Sequence, residues 1–355
     1  MKPASPYRLA SKGTLANRLL AGSLLALLSA LSAHADTLYW DPNTTTAAFG
    51  TGGTWGTDAF WTADSTGAFL TAPTAVTTTT SADTLYLNQG NITSWTMAVS
   101  GDVNAYQLRY NSNAGGANSG TITGSGTIHL YGFGTGAANQ AISDASGLDV
   151  RVSITPTIVF EAAASSAVYI GAYNGSGNNA GSTFNNLTST NSIDLYLANR
   201  GAYTINTLNT KGTIRNEKGQ GNLNIGIISA DVTNVIQNTT GSTMFITGQT
   251  NSRTGLTTID KGTLNVSKLA NIDTASSMGA GTLGGSAADI VFGGGTLQYN
   301  TAAATSTDRL FTIGDANGLT ATLDSSHGTA ANSMSFTNTG SIAFGGSGAR
   351  TLTLT

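Results

Sequence analysis

The sequence has 355 residues, enough for one large domain or two ordinary ones, and 39% of them are hydrophobic, so the chain can bury a core. Only 9% are charged, which excludes disorder driven by charge repulsion. Four of the 15 basic residues and none of the 18 acidic ones lie in the first 35 positions. The chain beyond residue 35 therefore has a net charge of about −7, from 11 bases against 18 acids, and nucleic acid is a poor partner.

The first 35 residues have the three parts of a secretory signal peptide. Basic residues within the first 18 positions precede the apolar segment 19–31, and the small residues Ala33 and Ala35 follow. This arrangement predicts cleavage between Ala35 and Asp36. The apolar segment is too short to span a bilayer comfortably, and no later stretch has the length of a transmembrane helix. We therefore expect an exported chain with no transmembrane helix and, because cysteine is absent, no disulfide.

Residues 36–100 form a distinct opening segment that contains all four tryptophans, Trp40, Trp55, Trp61 and Trp95. Large aromatic side chains bury much surface, so this segment is predicted to be an N-terminal cap that covers the end of a repetitive core. The alternative is a carbohydrate-stacking platform, in which the four indole rings lie against sugar rings. We favour the cap and keep carbohydrate stacking open at these residues.

From residue 101 to the end, short β-like runs alternate with Gly, Asn, Ser and Thr. No stretch keeps a helical period over three turns, so we expect very little helix. Residues 267–278 are the one ambiguous segment, with room for a single helical turn. The clearest predicted strands are 83–87, 153–160, 192–197, 202–208, 221–228 and 289–292.

A triplet of Gly, Thr and then Ile or Leu recurs through this region. We interpret the glycine as a corner with positive φ, the threonine as an outward strand residue, and the Ile or Leu as an inward one. So small a unit cannot bury its own apolar face and must stack on further copies. The glycines of the triplets are Gly120, Gly126, Gly212, Gly262, Gly281 and Gly295.

These triplets predict an all-β fold in which residues 101–355 form a parallel β-helix, a solenoid of irregular coils. A pair of stacked β-sandwiches is the competing architecture. Many of the predicted strands are only a few residues long, which suits the short faces of a β-helix better than the longer strands of a sandwich.

The segment 255–266 reads Gly-Leu-Thr-Thr-Ile-Asp-Lys-Gly-Thr-Leu-Asn-Val and resembles the autotransporter-associated β-strand repeat. The hallmark of that family is Gly-x-Thr-x-Ile-x-x-Gly-Thr-Leu-x-Val, and the strong match covers residues 255–299. The resemblance implies a passenger-type β-helix at a bacterial surface or outer membrane, with no catalytic residues to carry over. Autotransporters have a further C-terminal membrane domain, whereas this sequence stops within the strand-like segment 351–355, which predicts a C-terminal truncation or another route of anchoring.

The sequence contains no recognisable catalytic, cofactor or metal site. His129 and His327 remain after the signal peptide, and neither has a second histidine at metal-ligand spacing. We therefore predict a protein that is not an enzyme. The competing hypothesis is a polysaccharide-binding or polysaccharide-degrading protein, with charges that converge around Arg151, Glu161 and Arg200.

The expected function is that of an exported structural or adhesive surface protein. Neutral Thr, Ser and Asn side chains along flat β faces would make many weak contacts, which add up to avidity without a deep pocket. The expected partner is a surface polysaccharide, or the surface of a host or neighbouring cell.

Overall fold

A computed structural model describes residues 35–42, 50–65, 76–87, 94–110, 118–134, 140–144, 150–171, 181–198, 201–217, 221–282, 287–301, 303–314, 318–326 and 333–355. This part of the chain is all-β, as the sequence predicted. It also contains one 3-10 turn, at Ala287–Asp289. The ambiguous segment 267–278 contains turns and no helical turn. The predicted signal peptide lies outside the described residues, apart from Ala35.

The strands follow one another in chain order, and their connections differ widely in length. The first group is β1 (Thr37–Trp40), β2 (Thr54–Trp55), β3 (Trp61–Thr62), β4 (Thr84–Leu87), β5 (Ser94–Val99), β6 (Asp102–Ala105), β7 (Gln107–Tyr110), β8 (Asn118–Gly124), β9 (Thr127–Leu130), β10 (Ile142–Asp144), β11 (Val150–Phe160) and β12 (Ala167–Gly171). The second group is β13 (Ser182–Ala198), β14 (Tyr203–Asn216), β15 (Leu223–Ile228), β16 (Val232–Ile246), β17 (Thr257–Val266), β18 (Ile290–Phe292), β19 (Thr296–Tyr299), β20 (Thr305–Thr307), β21 (Thr312–Ile313), β22 (Leu319–Asp324), β23 (Met334–Phe336), β24 (Ala343–Phe344) and β25 (Arg350–Leu354).

Strand pairing is parallel throughout these strands, except that β1 pairs with β3 in the antiparallel sense. Among the first strands the partners are not consecutive in the chain, whereas each strand from β12 to β17 also pairs with the strand that follows it. In the early layers β4 pairs with β7, β5 with β8, and β6 with β9, so that the chain returns to the same side after three strands and one layer further on. The sheet also crosses the predicted boundary at residue 100, because β4 and β5 already pair with strands beyond it.

The pairings define three faces, which we number in the order in which the chain visits them. Face 1 contains β1, β4, β7, β10, β12, the last part of β13 and β14, the first part of β16 and β17, and then β18, β21 and β24. Face 2 contains β2, β5, β8, the first part of β11, β13, β14 and β15, the last part of β16 and β17, and then β19, β22 and β25. Face 3 contains β6, β9, the last part of β11, the middle of β13 and β14, and the last part of β15.

The core consists of apolar side chains that point inward and stack from layer to layer. Alternation along each strand puts every second residue inside, and layers lie about 4.8 Å apart, so each inward residue packs on its registered partners above and below. These residues are at most 5% exposed, and their burial is the main source of stability. They include Leu38, Leu85, Leu108, Ile142, Ile170 and Leu197 on face 1, and Met97, Ile122, Ile154, Phe184, Ile205, Ile225 and Ile246 on face 2.

The prediction that the Ile or Leu of each triplet points inward is confirmed for every triplet in which the structure describes that residue. Ile122, Ile128, Ile214, Leu264 and Leu297 are completely buried. The triplets at 262–264 and 295–297 lie directly on one another, threonine beside threonine and leucine beside leucine. The others stack on different apolar residues, and the last residue of the triplet at 281–283 lies outside the described residues.

The interpretation of the triplet glycines is right for only half of them. Gly212, Gly262 and Gly281 have positive φ, as predicted, whereas the glycines at 120, 126 and 295 do not. Gly120 is required for a different reason: a Cβ atom there would lie 2.1 Å from the indole ring of Trp95 in the neighbouring layer. The close approach of two layers, and not backbone conformation, therefore excludes a side chain at this position.

We expect the same close approach to make Gly255→Ala destabilising. A Cβ atom on Gly255 would lie 1.3 Å from the backbone carbonyl oxygen of Thr233, so a layer must shift. Overpacking of this kind costs roughly 1–3 kcal/mol or more. At Gly340 an added Cβ meets only side-chain atoms at 3.1 Å, so Gly340→Ala should stay within about 0.5 kcal/mol of the parent. Urea unfolding measures both, and equal midpoints would contradict the argument.

Candidate functional site

Face 2 carries an outward row of polar side chains in directly neighbouring layers, which we call row A. Each member lies beside inward residues of its strand, so alternation places it on the outer side of the sheet. All members are exposed or half-buried there except Asn265, which is 3% exposed. The first five members carry hydroxyl groups, and amide or acidic side chains follow after one phenylalanine. In order, row A consists of Thr96, Thr121, Ser153, Thr183, Thr204, Asn224, Phe245, Asn265, Gln298 and Asp324.

A second outward row, row B, runs beside row A, two residues earlier on the same strands. Two residues of a strand span about 7 Å, so rows A and B form a lattice of about 7 Å by 4.8 Å. Row B begins with Ser94, Ser119 and Arg151, and it ends with Thr243, Thr263, Thr296, Thr322 and Thr353 in successive layers.

The hydroxyl groups of the two rows make no hydrogen bond to any residue that the structure describes, and each is exposed or half-buried. Some hydroxyls elsewhere are hydrogen-bonded within the protein. Thr188 Oγ1 donates to the carbonyl oxygen of Asn209, and Thr190 Oγ1 donates to Glu161 Oε2. A free hydroxyl can donate one hydrogen bond and accept two, so the rows of face 2 keep their whole capacity for an external partner.

The far end of row A is linked by side-chain hydrogen bonds. Asn265 Nδ2 donates to Gln298 Oε1 at 2.6 Å, and Gln298 Nε2 donates to Asp324 Oδ2 at 2.8 Å. Partial burial raises the pKa of Asp324, but hydrogen bonds from Ser326 and Gln298 outweigh it and hold that pKa below its ordinary value. This end of the row is therefore ordered and negatively charged.

Charged side chains are concentrated on the other faces. On face 1, Arg215 lies 3.7 Å from Asp194, and Glu217 accepts a hydrogen bond from Asn238. In rows A and B, only the positions of Arg151 and Asp324 are charged. Rows A and B are thus close to neutral although the chain beyond residue 35 is acidic.

Face 1 carries two outward stacks, each built of two tyrosines and an arginine. Tyr39 stacks on Tyr86 with ring centroids 5.0 Å apart, and Arg109 Nη1 donates to Tyr86 Oη at 2.7 Å. The second stack is Tyr169, Tyr196 and Arg215, with ring centroids 4.4 Å apart and the guanidinium 5.5 Å from the Tyr196 ring. Between neighbours the ring faces are covered, so the stacks stabilise layers and leave little aromatic surface for a sugar.

All four tryptophans are buried, at most 4% exposed. Trp61 contacts both Trp40 and Trp55 edge to face, with ring centroids 4.9 and 5.4 Å apart, whereas Trp95 lies separately and stacks on Tyr110. Carbohydrate stacking requires an exposed ring face, and these rings offer none. Their burial favours the alternative interpretation, a cap of the core.

His129 lies on the outer side of β9, between the buried residues Ile128 and Leu130, and it has partners that the sequence did not reveal. His129 Nδ1 lies 2.7 Å from Glu161 Oε1, and Thr190 binds the other oxygen of the same carboxylate. In a nucleophile triad the histidine lies between the acid and the hydroxyl, whereas here the acid lies between them, so the histidine does not activate the hydroxyl. The side chain of Arg151, and Arg200 entirely, lie outside the described residues.

Two cavities are lined by residues that the structure describes, and neither is lined by acid, base and nucleophile side chains together. One of about 350 Å³ is apolar, lined mainly by Phe311, Leu323, Met334, Phe336, Leu352 and Leu354, with Ser325 and Thr355 as its polar residues. A second, of about 30 Å³, has room for one water molecule beside Tyr110 and Ser143. Within the described ranges there is no cluster of three or more His, Asp or Glu side chains that would hold a metal ion.

No protein-family model, curated protein or solved structure matches this chain. In the part of the chain that the structure describes, no helix is both long and apolar enough to cross a membrane.

Proposed function

We propose that this chain is an exported surface protein that acts as a structural or adhesive rod, built as a parallel β-helix. Residues 1–35 act as the signal peptide, and the tryptophan-rich segment caps the first layers. The three recurring faces, the parallel registers and the stacked apolar core support the β-helix, because a sandwich would pair consecutive strands in the antiparallel sense.

The observation that carries the adhesive function is the lattice of free hydroxyl groups in rows A and B. Each contact to such a group is weak, but groups held in fixed register act together on a partner with many equivalent sites. A large flat array with no deep pocket suits surface contact better than turnover of a small substrate.

The resemblance to the autotransporter-associated repeat supports a passenger-type protein at a bacterial surface. The matching segment 255–299 contains β17, β18 and β19, and two of its three Gly-Thr-Leu triplets, 262–264 and 295–297, pair with each other in adjacent layers. The two copies of the sequence motif thus occupy equivalent positions in adjacent layers.

Expression of the full chain in a bacterium tests this function. We expect the exported protein to begin at Asp36 by mass spectrometry, because the small residues before it fit signal peptidase. We also expect a surface coated with this protein to retain cells. A coating of the Gly255→Ala variant should retain fewer cells under conditions in which that variant is unfolded. A chain that stays in the cytoplasm with residues 1–35 attached, or a folded coating that retains no cells, would count against the proposal.

A further inference from the structure

We infer that the partner of face 2 is a neutral polysaccharide whose chain lies across rows A and B. The inference rests on the proposed adhesive function and names its ligand class. It follows from three properties of the rows: their charge, their free hydrogen-bonding groups and their regular spacing.

The near absence of charge in rows A and B favours a neutral polymer. Between Thr96 and Thr204, row A contains only hydroxyl side chains, and the long end of row B, from Thr243 to Thr353, is threonine alone. A polyanion would find no rows of basic groups there, and the net charge of about −7 beyond residue 35 would repel it. A polycation would find stronger attraction on face 1, where Asp194 and Glu217 lie.

The hydrogen-bonding groups of the rows indicate the chemistry of the repeating unit of the polymer. The hydroxyl groups of the rows both donate and accept, and none of them is used by the described part of the protein. The amide groups of Asn224, Asn265 and Gln298 in row A, by contrast, already have partners there. Sugar hydroxyls have the same double character, so each layer can meet a sugar without leaving a polar group unpaired. An apolar partner would instead bury these hydroxyls without compensation, which costs free energy.

The rows also predict how affinity depends on chain length. Phe245 is the only aromatic member of row A, so sugar binding cannot rely on ring stacking. Each hydrogen bond adds little, and useful affinity needs many layers at once. We therefore expect negligible binding of mono- and disaccharides, and binding that strengthens as the polymer spans more layers.

Three substitutions on face 2 and three matched ones elsewhere test the inference. The triple variant Thr121→Val, Thr183→Val and Thr263→Val removes hydroxyls from rows A and B but keeps the β-branched shape. The control triple variant is Thr127→Val, Thr207→Val and Thr258→Val on faces 3 and 1. All six threonines are half-buried in strands, and the hydroxyl of each is without a hydrogen bond to the described residues.

Co-sedimentation with cellulose and chitin, and affinity electrophoresis in dextran and in the acidic polymer alginate, measure binding. We expect at least one neutral polymer to bind, alginate to bind more weakly, and the face 2 variant to lose about tenfold in affinity while the control keeps the parent value. Circular dichroism and urea midpoints equal to the parent's establish that both variants are folded.

Several results would overturn the inference. They are the absence of binding to every neutral polymer, stronger binding to alginate, an unchanged affinity of the folded face 2 variant, or an equal loss in the folded control. If the protein retains cells after their polysaccharide is removed, and protease treatment of the cells abolishes retention, the adhesive function stands and the polysaccharide inference falls.

Discussion

Replacing Trp61 by alanine is expected to lower the free energy of unfolding by about 3–5 kcal/mol, the usual cost of removing a buried tryptophan side chain. Trp61 is completely buried, and its ring contacts those of Trp40 and Trp55. The alanine variant would leave a cavity between both neighbours at the antiparallel pairing of β1 and β3. Because the first layers depend on this cluster, their backbone amides should also lose protection.

Urea unfolding and hydrogen exchange measure this effect. Phe133→Ala is the matched control, since Phe133 is 45% exposed and its removal should change stability by no more than about 0.5 kcal/mol. Polysaccharide binding by Trp61→Ala should equal that of the parent under conditions in which both are folded. A stability loss as small as that of Phe133→Ala would contradict the role of Trp61 in the cap, and a specific loss of binding would revive carbohydrate stacking at the tryptophans.

The alternation of apolar residues was sufficient to predict the strands and the inside of the fold. The predicted strand 192–197 lies within β13, and 221–228 contains β15. Alternation could not predict that β13 continues from Ser182 to Ala198 across all three faces. The Ser, Thr and Asn residues at its corner look like a loop in the sequence, yet they keep parallel pairing on both sides of a register shift.

The pairing register between layers could not be predicted from the sequence, because it depends on connections of irregular length. Thr204 pairs with Thr183 on one side and Asn224 on the other, and nothing in the local spacing indicates these partners. The general expectation of neutral polar faces could therefore be made, but not the identity of rows A and B. The contact of His129 with Glu161, 32 residues away, was missed for the same reason.

Inward polar residues were the other feature that alternation did not anticipate. Asn216 and Gln237 occupy the inward row of face 1 directly after Leu197, and both are completely buried. Asn216 Nδ2 donates to Gln237 Oε1 at 2.7 Å, and Gln237 Nε2 donates to the carbonyl oxygen of Ser242 at 3.1 Å. A polar residue becomes tolerable inside when the next layer supplies its partner, which only the three-dimensional stack reveals.

Replacing Arg309 by methionine is expected to cost about 3 kcal/mol of stability. Arg309 is 2% exposed, and it donates from Nε to the carbonyl oxygen of Ala270 and from Nη2 to that of Gly279. It thereby holds the segment between β17 and the 3-10 turn, of which the described part, 267–282, has no strand. Burial lowers the pKa of Arg309, while the acids Asp289, Asp308 and Asp273 oppose that shift and favour its charge.

Methionine would fill the space but leave the carbonyl oxygens of Ala270 and Gly279 with one side-chain donor each, from Thr307 and Ser276. It would also remove the charge of Arg309 from the vicinity of Asp289, which is 5% exposed. Removing one partner of a buried charge cluster typically costs 3–5 kcal/mol. We expect a loss near the lower end of this range. Burial and the like charge of Arg309 lower the pKa of Arg253 to about 9, and the substitution removes the repulsion between the two arginines.

Urea unfolding of Arg309→Met, Arg309→Lys and Lys261→Met separates these contributions. Lysine keeps the charge but cannot donate in two directions from a rigid plane, so Arg309→Lys should lie between the parent and Arg309→Met. Lys261 is exposed, and Lys261→Met should change the midpoint little. Hydrogen exchange should accelerate first at Ala280, whose backbone amide bonds to the carbonyl oxygen of Arg253 beside the arginine cluster. An Arg309→Met variant as stable as the parent would mean that packing alone holds this segment in place.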